Sequence, residues 1–138
     1  MAKLESVYRR IATSRSPSPV KPTAAENKFE FSGRVKLFAV FPGIYGGDSS
    51  LVGATKKLET IFCNGTGLSD TPPTDFSLSY VRLVLPITYT RFANSRPNIN
   101  IPGGYILFED GLTLYTGNGS STGDRPWLGN ITLLMERG

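Results

Sequence analysis

Residues 28–41, KFEFSGRVKLFAVF, decide the fold, because apolar side chains recur at every second position. The odd-numbered positions from Phe29 to Phe41 hold apolar residues or glycine, and the even-numbered positions from Lys28 to Lys36 are charged or polar. This period of two is typical of a β-strand with one face against a core. The stretch therefore predicts one long strand, which ends at Pro42.

Outward from this strand, the remaining sequence repeats the same kind of signal. Residues 58–63 and 76–90 predict two more strands, and Pro86 predicts that the second is an edge strand, bulged or split at the proline. Residues 104–116 predict a β-hairpin around Glu109-Asp110-Gly111, because Asp-Gly tolerates the positive φ of tight hairpin turns. A final strand is predicted with four apolar residues at odd positions, Trp127, Ile131, Leu133 and Met135.

The segments between these strands are rich in glycine, proline, asparagine and serine. Such spacers, with few helical signals, predict an all-β fold, an antiparallel sandwich or barrel that could take a jelly-roll-like form. Residues 28–138 are predicted to form this single β domain. A chain of 138 residues is long enough to bury a core of its own.

The first 27 residues have a different pattern and form a predicted N-terminal docking arm. Its apolar residues fall at i, i+3, i+4 and i+7, which predicts a short amphipathic helix over about residues 2–13. Residues 14–27 contain three prolines and predict an extended Pro/Ser-rich linker. The arm residues that we expect to bind a partner are the apolar Leu4, Val7, Tyr8 and Ile11, together with Arg9 and Arg10.

A helix this short is marginal in water, so the arm needs a surface to lie against. A neighbouring chain is the first interpretation, and an intramolecular cap on its own domain is the second. The arm has five cationic and two acidic residues, a net charge of +3 out of +4 for the chain. This charge is too sparse to favour nucleic acid as the partner.

The sequence offers little for catalysis. It contains no histidine, which excludes Ser-His-Asp and Cys-His sites, and its one cysteine, Cys63, lies in an apolar run. The glycines of residues 46–53 lack the spacing and the lysine of a phosphate-binding loop. We therefore expect no enzymatic activity, no cofactor and no metal site.

Acidic and aromatic residues leave two other interpretations open. Oxygen ligands for calcium could come from Asp70, Asp75, Asp110 and Asp124, although ordinary Asx turns explain these positions better. The tyrosines and Trp127 could form a carbohydrate-binding platform, although strand interiors also favour them. No apolar run reaches the roughly 18 residues of a membrane-spanning helix, so no membrane partner is expected.

By architecture alone, an arm joined to a compact β domain resembles structural proteins of virions. The resemblance implies a non-enzymatic assembly protein, most concretely a capsid cement protein of a tailed phage, assembled in the host cytoplasm and located in the virion. Its partners would be the major capsid protein and copies of itself, with a trimer favoured. The alternatives are a self-assembling small viral coat protein and a carbohydrate-binding β-sandwich module.

Overall fold

In the computed structural model of the protein, the described residues are 2–8, 28–42, 45–46, 55–90, 98–116, 127–128 and 130–138. These residues form strands and turns, and among them there is no helix that could span a membrane. The strands are β1 Lys3–Tyr8, β2 Lys28–Phe31, β3 Val35–Pro42, β4 Tyr45–Gly46, β5 Thr55–Asn64, β6 Val81–Thr90, β7 Ile99–Asn100, β8 Ile106–Phe108, β9 Leu112–Tyr115, β10 Trp127–Leu128 and β11 Asn130–Arg137.

The strands form two principal antiparallel sheets. Sheet A has the order β1-β11-β3-β7, and β8 also pairs with β3. Sheet B has the order β2-β9-β5-β6, and β4 pairs with β10 in a separate two-stranded ladder. The predicted all-β antiparallel class is thus confirmed, with sandwich-like packing of the two sheets.

One buried apolar cluster joins the two sheets. Both sheets supply fully buried side chains to it, such as Leu37 and Leu133 from sheet A and Phe62 and Leu114 from sheet B. Burying such a side chain contributes about 1.5–3 kcal/mol, so this layer is the main source of stability. Its buried members are Phe31, Val35, Leu37, Val40, Phe62, Leu85, Phe108, Leu112, Leu114, Ile131, Leu133 and Met135.

The outer face of sheet B has a second, smaller core beneath residues 64–80. Ile61, Cys63 and Tyr115 are buried there, and Leu68 and Tyr80 pack against them. The Tyr115 hydroxyl donates a 2.6 Å hydrogen bond to the carbonyl of Ser69, which fastens the covering segment to the sheet. Sheet B is therefore buried on both faces in this region.

Residues 28–41 do not form the single strand that was predicted. The chain turns at Ser32–Arg34, where Gly33 has a φ of +82°, so that β2 joins sheet B and β3 joins sheet A. The period of two continues through the turn, because both strands face the same core from opposite sides. Periodicity identified the core-facing residues but not the change of sheet.

The predicted hairpin at Glu109-Asp110-Gly111 is also wrong. β8 pairs with β3 in sheet A, whereas β9 pairs with β2 and β5 in sheet B, so the turn connects the two layers. Gly111 has the positive φ that the sequence predicts, at +105°. The turn chemistry was correct, but the same chemistry serves a sheet-crossing connection.

A bulge in β3 shifts the core-facing positions along that strand. The pairing with β11 moves from Leu37↔Met135 to Ala39↔Leu134, which leaves one extra residue, Phe38. Beyond the bulge, Val40 joins the inter-sheet cluster in place of the predicted Ala39. The aligned odd positions of the sequence therefore overstate the length of the uninterrupted core face.

Two strand predictions are confirmed in part. β6, which contains Pro86, is the terminal strand of sheet B, as expected for a residue without a backbone donor. The predicted bulge or split at Pro86 is wrong, because Pro86 pairs with Glu59 in continuous register and the register shift lies at Phe62/Cys63 instead.

In β11, Ile131, Leu133 and Met135 are buried at alternating positions. Trp127, which was predicted in the same strand, lies in β10 and pairs with β4. The proline and the period of two were sufficient to predict the edge position of β6 and the alternation in β11.

The prediction of an N-terminal helix over residues 2–13 is wrong for the part of the arm that the structure describes. Lys3–Tyr8 form β1, which pairs antiparallel with β11. A six-residue segment gains little from helical hydrogen bonds alone, whereas a sheet edge satisfies its backbone groups directly. Residues 9–27, including the linker, lie outside the described residues.

Replacement of Gly111 by alanine should be much more damaging than the same change at Gly103. A Cβ at position 111 would lie 2.9 Å from the Phe31 carbonyl oxygen and 2.9 Å from Thr66 Cγ2, whereas one at Gly103 would meet no atom of the described residues within 4 Å. Both sites have positive φ and share a strain of about 1–3 kcal/mol. Overpacking should add about 1–3 kcal/mol for Gly111→Ala alone, measured by urea unfolding. Equal losses for both variants would contradict this packing of the turn.

The buried hydroxyl of Thr60 should reduce stability, because it has no hydrogen-bond partner among the residues that the structure describes. Thr60→Val should therefore raise the free energy of unfolding by about 1 kcal/mol. The matched control is Thr113→Val, which removes a 2.6 Å hydrogen bond to the Gly65 carbonyl. This variant should lower the free energy of unfolding by about 1 kcal/mol. Urea unfolding would measure both, and a loss for Thr60→Val would show that its hydroxyl is satisfied.

Candidate functional site

The candidate site is the arm edge, which we define as β11 together with the strand β1 that covers it. Six Cα pairs run from Lys3↔Met135 to Tyr8↔Asn130 without a register shift. β11 is paired on its other side with β3, so its position does not depend on β1. The arm therefore adds a strand to an edge that the body already presents.

One arginine fixes the end of this pairing. Arg137 Nη1 lies 3.3 Å from Glu5 Oε1 in β1, and Nη2 donates a 3.3 Å hydrogen bond to the carbonyl of Ser32. The guanidinium carbon lies 5.4 Å from the ring centroid of Phe31. Arg137 thus holds together β1, the end of β11 and the turn after β2. Both charged side chains are about one-third exposed, so the ion pair contributes at most about 1 kcal/mol.

A groove of about 540 Å³ opens beside this arginine. It is bounded by the start of β1, the turn between β2 and β3, and the end of β11. The lining residues are Lys3, Leu4, Glu5, Ser32, Gly33, Met135, Arg137 and Gly138. The groove places charged and apolar surface together at the arm edge.

The described arm residues lie on a strand and not on the single helical face that the sequence predicts. Leu4 is 65% exposed on β1, where it is paired with Leu134. Val7 and Tyr8 are paired with Ile131 and Asn130, and consecutive positions of a strand belong to opposite faces. Leu4, Val7 and Tyr8 therefore do not occupy one common stripe. Arg9, Arg10 and Ile11 lie outside the described residues.

Sequence reasoning missed Glu5 and Arg137 as partners. They are separated by 132 positions, and each resembles an ordinary charged residue on a strand. Their meeting depends on the antiparallel register of β1, which no short pattern encodes.

The described aspartates do not converge on a cation site. Asp70 forms a 2.8 Å ion pair with Lys28, which raises the pKa of the lysine. Asp75 accepts hydrogen bonds from the amide and hydroxyl of Ser77, in an Asx turn that lowers the pKa of Asp75. In the part of the chain that the structure describes, no three acidic or cysteine residues form a metal-binding group. Asp124 lies outside that part.

A second ion pair stabilises the sheet-crossing turn. Arg82 Nη2 lies 2.6 Å from Glu109 Oε1, and hydrogen bonding raises the pKa of the arginine and lowers that of the glutamate. The Asn64 side chain accepts from the Asp110 amide and donates to its carboxylate at 3.1 Å. These acidic groups hold the turn in place, which explains their positions without a ligand.

The described tyrosines do not form one exposed platform. Tyr115 is buried, and Tyr80 packs against its cluster. Tyr105 is 45% exposed and lies beside the ring of Phe38 and the ammonium group of Lys36. The side chains of Tyr45, Tyr89 and Trp127 lie outside the described residues.

Comparisons with known proteins provide no relative for this site. No family model, curated protein or solved structure matches the chain.

Cys63 should be inert in the folded protein. Its side chain is fully buried, and burial raises the pKa of the thiol to about 11, so the nucleophilic thiolate is scarce at pH 8. Ellman's reagent should modify Cys63 only after unfolding, whereas the exposed control Ser32→Cys should gain one thiol that reacts at once. Rapid reaction of native Cys63 would show an accessible, activated cysteine.

Proposed function

We propose that this chain is a non-enzymatic assembly protein of a virion, most concretely a capsid cement protein whose N-terminal arm links neighbouring subunits. The observation that supports this function is the addition of β1 to the edge of sheet A, beside the strand β11 that supplies Ile131, Leu133 and Met135 to the inter-sheet cluster. A strand that docks through its backbone is a general means of joining protein subunits. The assembly would take place in the host cytoplasm, and the mature location is the capsid.

The contribution of the arm to the body supports a linking role rather than a structural one. The described side chains of β1, Lys3 to Glu5, are exposed or half-buried, and none belongs to the inter-sheet cluster. The described contacts of the inter-sheet cluster thus do not involve these three side chains. A segment with this property can detach and rebind at modest cost, as a connector requires.

Two weak contacts would act together in this mechanism. The β domain would lie on the major capsid protein, and the arm would bind an adjoining subunit, such as a copy of the same chain. Once one contact has formed, residues 9–27 keep the other near its site, which raises its effective concentration. Strong attachment then needs neither a deep pocket nor a dense cluster of charges.

Removal of the arm should separate assembly from folding. The fragment 28–138 should retain a β-type circular dichroism spectrum but sediment as a monomer, whereas the full chain should sediment as a discrete oligomer, with a trimer favoured. Binding of the full chain and the fragment to empty capsid shells would be compared in the same way, and the fragment should bind at least tenfold more weakly.

Other outcomes would assign a different function. Closed shells formed by the full chain alone would identify a coat protein. A full chain that is monomeric, ignores capsid shells and stays on a glycan column would contradict the assembly function and favour a carbohydrate-binding module.

A further inference from the structure

We propose that β1 is exchanged between copies of this chain, so that β1 of one copy pairs with β11 of the next. This inference rests on the proposed assembly function and specifies how the arm contacts its neighbour. The occupant of the arm edge in the assembly is thus the same segment, Lys3–Tyr8, supplied by a second copy.

The positions of the strand ends provide the first argument. Arg137 contacts Glu5 of β1 and the carbonyl of Ser32 just after β2, so these points lie at one end of the sandwich. β1 leads away from that end to Tyr8, and β2 approaches it from Lys28. Tyr8 and Lys28 therefore both lie toward the opposite end, one in each sheet.

The length of the connection provides the second argument. Packed sheets lie about 10 Å apart, a gap that a handful of residues can cross. The chain instead has nineteen residues, 9–27, between the two strands. In an extended proline-rich form, these could reach about 60 Å. Connections of this length are uncommon within compact domains and are usually functional or linker segments. The additional length of this connection is suited to placing β1 on another copy of the chain.

The contacts provide the third argument. Exchange replaces one β1 by an identical one, so all six pairs and the Glu5–Arg137 ion pair re-form without change. Among the side chains that the structure describes, the members of the inter-sheet cluster come from β2 to β11, and none comes from Lys3, Leu4 or Glu5 of β1. Exchange of an identical element is a low-cost route to oligomers for these reasons.

The fit of the edge favours a second copy over an unrelated protein. The groove residue Arg137 pairs with the carboxylate of Glu5, which this register places opposite Leu133. Any second copy has this match. Successive head-to-tail exchange around a threefold axis would close a trimeric ring.

A mixed-chain disulfide experiment tests the exchange. Leu4 and Leu134 are Cα partners, and residues directly opposite in an antiparallel pair lie within disulfide range. Full-length Leu4→Cys and Leu134→Cys chains with different tags would be co-expressed, oxidised mildly and separated without reductant. We expect a covalent heterodimer at least tenfold above that from the mismatched control, Leu4→Cys with Glu136→Cys. Cys63 is buried and should remain silent.

The double variant Leu4→Cys/Leu134→Cys gives the second measurement. Exchange around a ring should yield covalent species up to the size of the native oligomer. Monomers with an internal disulfide, together with no heterodimer in the mixture, would overturn the exchange. If the exchange is overturned but removal of residues 1–27 still dissociates the oligomer, the assembly function is retained. The arm then joins subunits through a different contact. If the full chain is monomeric throughout, the exchange is wrong, and the assembly function is wrong as well if that monomer does not bind empty capsid shells.

Discussion

Burial of one apolar face of each sheet against the other is the interaction on which the rest of this structure depends. It explains why the chain changes layers at Gly33 and again at Gly111, since consecutive core-facing strands must cover the core from both sides. It also explains the ion pairs and amide contacts around Glu109 and Asp110, which hold the sheet-crossing turn. The edges of the two sheets are then free to serve other purposes.

The arm uses one of those edges. β11 has one face in the core and one side paired with β3, and its remaining side offers backbone groups to any compatible strand. β1 fills that side in register, and Arg137 joins it to the body through Glu5 and Ser32. For the function proposed above, this arrangement means that the connector is recognised through its register on β11 and through its ion pair with Arg137.

Local patterns were sufficient for some features of the fold and insufficient for others. The alternation in β11, the edge position of β6 with Pro86 and the positive φ of Gly111 follow from strand geometry and backbone sterics. The assignment of a strand to one sheet or the other does not follow from these rules, because side chains alternate toward the core in the same way in both sheets. This applies to β2, β3, β8 and β9. The arm failed for a related reason: the spacing of Leu4, Val7 and Tyr8 fits a helix, but pairing with a distant edge overrides so short a pattern. The Glu5–Arg137 pair depends on that distant register and left no local signal.

Amide hydrogen exchange on the full chain and the fragment 28–138 tests the central claim that β1 is a separable strand on a self-sufficient sandwich. Amides of β11 alternate between bonds to β1 and bonds to β3. In the fragment, the first set should lose its protection, while the second set and the amides of β5 and β9 should keep theirs. Loss of protection throughout β3, β5 and β9 would show that the core requires the arm and would contradict this account.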